Sequence, residues 1–255
     1  MAERTSYAPG TFSWVDLQTS DQDAAKSFYS DLLGWDYEDI PIGDGSTYSM
    51  AKVQGKSVAA IGGLQDPSMP PHWNCYVTVE SADAAAERAG ELGATVLAPP
   101  FDVFDAGRMS AFADPQGAVL SVWQAKDSIG AELVNVPGAL SWNELVSPDL
   151  AASAEFYRGL FGWQIDEVPE SDGGYWSITN GGRQNGGMVP MLEGGHPAWN
   201  LYFAVDDVDA ALARAQELGA AIVVGPMDIP NSGRFVVLRD PQNAVFSLFS
   251  GWLDD

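Results

Sequence analysis

The reading of this chain turns on FSWVDLQTSD at residues 12–21, because the stretch returns as LSWNELVSPD at 140–149. The echo continues outward. KSFYSDLLGWD (26–36) returns as AEFYRGLFGWQ (154–164), so Trp14, Tyr29 and Trp35 match Trp142, Tyr157 and Trp163, each 128 positions on. HWNCYVTVESADAAAERAGELGA (72–94) returns as AWNLYFAVDDVDAALARAQELGA (198–220), and GRMSAFADPQGAVLSVW (107–123) as GRFVVLRDPQNAVFSLF (233–249), both now 126 positions on. Self-similarity on this scale means one fold used twice. Two residues are lost within the second copy. The turn-rich stretch KDSIGAELVNVPG lies between the copies, which divides the chain into 1–126, a linker at 127–138, and 139–255.

A finer grammar runs inside each half. Residues 12–19 alternate and are rich in β-formers, which predicts a strand. In residues 21–33, Ala24, Ala25, Phe28, Leu32 and Leu33 recur at helical spacing, with Asp21 placed to cap the start and Gly34 to end the helix. Strand-like pieces follow at 46–53 and 57–64. The cycle then restarts with a strand at 73–79, a helix at 81–92 and strands near 95–97, 108–113 and 118–124. Asp-Pro-Gln turns at 114–116 and 240–242 feed the last strand of each half. The unit is βαβββ, twice per half.

Composition narrows the function. Of 255 residues, 12 are Lys or Arg and 35 are Asp or Glu, a formal net charge of −23. Such a chain repels phosphate backbones and anionic lipid surfaces, which argues against nucleic-acid and membrane partners. No apolar run is long enough to cross a bilayer, and Met1 to Gly10 carries no apolar signal core, so a cytoplasmic location is expected. Cys75 is alone, and His72 and His196 are the only histidines. That scarcity restricts metal chemistry. The glycine-rich segment Asp172–Gly187 lacks the Lys-Ser/Thr of a phosphate loop and reads as hairpin and bulge glycines.

The opening strand with Asp21, SFYSDLLGW (27–35), VESADAAAERAGELGA (79–94) and DPQGAVLSVW (114–123), each with a partner in the second half, resemble the vicinal oxygen chelate superfamily. That group includes glyoxalases, bleomycin-resistance proteins, fosfomycin-resistance enzymes and extradiol dioxygenases, and the chain is similar in particular to its tandem two-domain actinobacterial glyoxalase-like members. The resemblance implies an α+β fold of two tandem glyoxalase-like domains. Each would pair two βαβββ modules into a cup-shaped, mostly antiparallel sheet with helices outside. It also implies where a metal would be held. The position of the first His is Trp14 in one half and Trp142 in the other, that of the second His is Asn74 and Asn200, and that of the Glu is Ser121 and Ser247. The strand SVAAIGGL (57–64) offers no carboxylate. Indole does not bind a divalent ion, and Asn and Ser are poor replacements for His and carboxylate. The expectation is therefore no metal and no cofactor.

Residues two apart on a strand share a face. If Trp14 faces the first cup, so do Asp16 and Gln18; Asn74 brings Tyr76, and Ser121 brings Trp123. The second cup would hold Trp142, Glu144, Asn200, Tyr202, Ser247 and Phe249. Aromatic walls with a few polar groups suit a small planar or cationic guest. The first reading is a metal-independent binder of an aromatic metabolite, antibiotic or reactive carbonyl compound, for sequestration, resistance or tailoring. The second is a lyase or isomerase in which Asp16 or Glu144, its pKa raised by burial, moves a proton. The bland alternative for both carboxylates is a structural one, in which they accept bonds and fix the cup. A third reading, an interaction protein with a basic partner, has no located face. Arg108 and Arg234 are candidate ligand clamps, with surface ion pairs as the alternative. Trp35, Trp163, Tyr29 and Tyr157 are expected in the core, His72 and His196 in solvated loops before the second-module strand, with a cup rim as the alternative, and Cys75 buried. Fusing two domains supplies the pairing that single-domain relatives obtain by dimerising, so a monomer is expected.

Overall fold

The computed structural model describes residues 3–43, 45–171 and 174–251. The first module contains β1 (Phe12–Thr19), α1 (Gln22–Leu33), β2 (Asp36–Gly43), β3 (Ser46–Val53) and β4 (Lys56–Gly63). The second contains β5 (His72–Thr78), α2 (Ala82–Glu91), β6 (Thr95–Val103), β7 (Gly107–Ala113) and β8 (Val119–Ala125). The other half repeats this as β9 (Leu140–Ser147), α3 (Leu150–Phe161), β10 (Gln164–Glu167), β11 (Trp176–Asn180), β12 (Arg183–Pro190), β13 (Ala198–Ala204), α4 (Val208–Glu217), β14 (Ala221–Ile229), β15 (Gly233–Arg239) and β16 (Val245–Gly251), with a short 3-10 turn at Pro169–Ser171.

Local chemistry sets the helix ends. Asp21 and Asp149 accept bonds from the amides of Ala24 and Ala152, and Gly34 and Gly162 close α1 and α3 in the left-handed region. Two strands exceed what the sequence pattern marks. β2 is almost wholly exposed, so it carries no alternation to read. β6 runs to Val103 rather than stopping near 97, paired with β7 through register shifts around Ala98.

Each half forms one eight-stranded sheet, in the orders β2-β3-β4-β1-β5-β8-β7-β6 and β10-β11-β12-β9-β13-β16-β15-β14. The two modules of a sheet meet antiparallel, at β1 with β5 and β9 with β13. Within each module the first and last strands run parallel. The fold is α+β: two tandem cups, each a curled sheet.

One face of each sheet carries the helices and the main core. Val15, Leu17, Trp73, Cys75, Val77, Leu120 and Val122 pack there with Phe28 and Tyr29 of α1. The same core continues without a break into the other half, where Trp73 and Trp35 meet Phe203 edge-on and Phe12 packs on Trp163 and Trp199. Two reciprocal chains of hydrogen bonds cross the seam. Trp73 donates to the Tyr29 hydroxyl (3.1 Å), which donates to Asp240 (3.0 Å). Trp199 donates to Tyr157 (2.8 Å), which donates to Asp114 (2.8 Å). Each of these aspartates spends its other oxygen on the amides of its own Asp-Pro-Gln turn. Trp35 and Trp163 likewise reach across, donating to the carbonyls of Gly138 (2.6 Å) and Gly10 (2.7 Å). The seam therefore uses the helix-side faces and leaves the opposite, concave faces for the cups.

Candidate functional site

In the first cup Trp14, Tyr76 and Trp123 pack together, with Ala60 beneath and Tyr48, Met50 and Met109 around them. Asp16 is 4% exposed. Three donors converge on it: Asn74 Nδ2 at 2.8 Å, the Tyr48 hydroxyl at 3.0 Å and the Tyr76 hydroxyl at 3.1 Å. Tyr48 in turn accepts from Trp14 Nε1 at 3.0 Å. Burial drives the Asp16 pKa up, and the three hydrogen bonds pull it back. Ser121 is buried beside Tyr76 in register. Gln18 shares the Asp16 face, and its Oε1 is buried without a partner.

The second cup places the same elements differently. Tyr202 donates to Glu144 Oε1 at 2.7 Å, and among the described residues this is the one hydrogen bond its carboxylate receives. Trp142 Nε1 donates to the Tyr175 hydroxyl at 3.2 Å, but Tyr175 does not reach on to the carboxylate as Tyr48 does, nor does Asn200 repeat the bond of Asn74. The cause lies opposite the acid. Asp16 faces Ala60 in register, whereas Glu144 faces Gly187. A Cβ at Gly187 would fall 2.0 Å from the Tyr175 oxygen, so the tyrosine settles on bare backbone instead of on the acid. Burial pushes the Glu144 pKa up to about 7, and Tyr202 alone opposes it. Trp142 and Glu144 keep some surface open to solvent, unlike their counterparts Trp14 and Asp16. Tyr202, Phe249 and the Tyr202 neighbour Phe235 supply the floor. Ser247, fully buried next to Tyr202 in register, lies close enough to lower the Tyr202 pKa, yet its Oγ has no partner with hydrogen-bond geometry.

The remaining candidates sit elsewhere. Arg108 is taken up by Asp83 (2.7 Å) and Asp102, and Arg234 by Asp228 (2.8 Å) and Asp209. These partners on α2, α4 and the edge strands engage both guanidinium groups in ion pairs at the surface, the arrangement named as the alternative to a ligand clamp. His72 opens β5 rather than lying in a loop; it shares the face of Asn74, lies near enough to Asp16 to favour the charged acid, and its Nδ1 is 2.8 Å from the Pro70 carbonyl. His196 is exposed in a loop. Cys75 is buried at the seam against Asn143 and Trp199, and burial pushes its thiol up to about 12. A shallow hollow of about 180 Å³ lies between Leu92, Pro115, Gln116, Ala152, Glu155 and Phe156, at the seam and away from both cups. Sequence reasoning missed Tyr48 and Tyr175. The available signal was a tyrosine just after each turn-rich stretch that follows the first helix of a half.

The donor set of either cup does not suit a divalent ion. Each offers a single carboxylate, with neutral amide and hydroxyl groups around it and an indole at the position where the resemblance puts a ligand nitrogen. Among the described residues no three of His, Cys, Asp and Glu converge anywhere.

Comparison with known proteins agrees with the geometry. The family model described as the Glyoxalase/Bleomycin resistance protein/Dioxygenase superfamily matches residues 11–122 and again 139–248. The chain belongs to this superfamily, as a tandem member. It is 44% identical over 256 residues to the putative glyoxylase CFP32 of Mycobacterium bovis, covering 97% of both chains. It is 33% identical to the anthracycline biosynthesis protein DnrV of Streptomyces peucetius, covering 96% of this chain and 94% of the relative. Among solved structures, the Mn(II)-bound glyoxalase of Novosphingobium aromaticivorans superposes with a TM-score of 0.66 at 21% identity, over 95% of this chain and 82% of that one. The 2,3-dioxygenase LapB of Pseudomonas sp. KL28 gives 0.67 at 15%, over 98% and 96%. At those identities the likeness is one of fold. No helix among the described residues is long and apolar enough to cross a membrane.

Proposed function

We propose that this protein holds a small planar or aromatic molecule in the cup of its second domain, and does so without a divalent ion. One observation carries the reading: a carboxylate, Glu144, stands among Trp142, Tyr175, Tyr202 and Phe249 with a single hydrogen bond and a pKa near 7. A half-satisfied acid in an aromatic recess leaves one oxygen to orient a guest, while the rings supply stacking area. The name of DnrV, an anthracycline biosynthesis protein, supports a flat polycyclic guest, and the donor set described above supports a metal-free cup. Pairing of the two domains inside one chain supports a monomer, and the acidic surface supports a small-molecule guest over nucleic acid or membrane. Titration with planar quinones, followed by tryptophan fluorescence and paired with elemental analysis, tests this. Saturable quenching lost in Trp142→Ala is expected. Stoichiometric Ni, Zn, Fe or Mn bound to the untreated protein would sink the metal-free reading.

A second reading is favoured by the same Glu144. A pKa near neutrality is the value a general acid or base needs, so the cup could also run a lyase or isomerase step on its guest. Asp16, held by three donors, fits a fixed structural acid better than a proton carrier. Chelator-resistant turnover lost in Glu144→Gln and retained in Asp16→Asn would establish this assignment.

A further inference from the structure

The linker does more than join the two domains. Between β8 and β9 the chain turns back over the first cup, and Ala131 and Val134 bury themselves against Trp14, Tyr76 and Trp123. The seating is made by directed bonds. Trp123 Nε1 donates to the Ser128 carbonyl (2.9 Å), Ser128 N to Ala106 O (3.0 Å), Ala131 N to Ser13 O (2.7 Å) and Glu132 N to Ser57 O (2.8 Å), while Glu132 accepts from Ser57 N (2.9 Å). Tyr7 closes the outside by donating to Ala131 O (2.7 Å). Gly130 is what permits so close an approach: its φ is +99°, and a Cβ there would lie 2.3 Å from the Ser13 carbonyl. Among the described residues no segment bonds the carbonyl of Ser141, the counterpart of Ser13, in this way.

We infer that residues 128–134 are the built-in occupant of the first cup, so that this cup is closed to ligands and the chain offers one binding site rather than two. The plug also ties the approach to β9, the strand that carries Trp142 and Glu144, to the wall of the first cup. The single-site part rests on the ligand reading of the second cup; the plug itself does not.

Two measurements on the full chain test this separately. Hydrogen exchange should show the Ala131 and Glu132 amides protected at least about a hundredfold over an unbonded loop, as buried strand amides are. Gly130→Ala should raise exchange across 128–134 and in β1 by about tenfold while leaving α4 unchanged, and the gentler Val134→Ser should do so to a smaller degree. Loop-rate exchange in the unsubstituted protein overturns the plug. The second measurement is binding of 1,8-dihydroxyanthraquinone. One equivalent per chain, lost in Trp142→Ala, is expected; two equivalents overturn the inference. Absence of any binding would count against the ligand reading of the second cup, with the exchange result still deciding the plug.

Discussion

The two cups descend from one sequence pattern and differ most tellingly in how completely each satisfies its own acid. In the first, Asp16 is buried and takes three hydrogen bonds, and the linker packs on the neighbouring Trp14, Tyr76 and Trp123. In the second, Glu144 takes one and stays partly open. One methylene and one missing Cβ, at Gly187, set the surroundings of the two carboxylates apart. The seam behaves in the opposite way. There the two halves are near-copies, with Tyr29 on Asp240 and Tyr157 on Asp114. Where the repeat had to keep the domains together it stayed symmetric, and where it faces solvent it drifted.

The contrast is open to direct attack. Asp16→Ala leaves the buried Tyr76 hydroxyl and the half-buried Tyr48 and Asn74 donors without their acceptor and should cost about 2–4 kcal/mol in urea unfolding, against about 1 kcal/mol or less for Glu144→Ala. Equal losses would mean the two acids are equally structural. Next in size is pH. The Glu144 pKa is raised from an ordinary 4.5 to about 7, so the folded state binds this proton more tightly than the unfolded chain. Its contribution is therefore greatest below pH 4.5 and is lost as pH rises through 7. Glu144→Gln should gain about 1–3 kcal/mol on the unsubstituted protein between pH 5 and pH 8, and a constant gap across that range would refute the shift. At the seam, Tyr29→Phe and Tyr157→Phe should each cost about 1–2 kcal/mol and agree closely, because each leaves an indole N–H and a carboxylate short of a partner. A clear difference between them would break the symmetry claimed for the pairing. Smallest of all, Arg108→Gln and Arg234→Gln should leave the unfolding midpoint and quinone binding unchanged, since both ion pairs are exposed.

Much of this was legible in the residues. The repeat, the helix caps at Asp21 and Asp149, and the alternation that sets Trp14 and Asp16 on one face follow from local chemistry and a two-residue period. β2 escaped because an exposed edge strand has no apolar face to alternate. Tyr48 and Tyr175 escaped because their roles come from neighbours on other strands. Arg108 and Arg234 have partners that the sequence did not announce: Asp83 and Asp209, 25 residues away, and Asp102 and Asp228, which strand pairing sets directly opposite them.

By itself the sequence determined a duplicated βαβββ architecture and the residue types on each concave face, because period and identity are local properties. Tertiary structure alone decided which acid is free and which cup is filled. Hydrogen-bond satisfaction depends on distances between strands far apart in the chain, and nothing in the linker's composition announces that Ala131 and Val134 would find indole rings to cover.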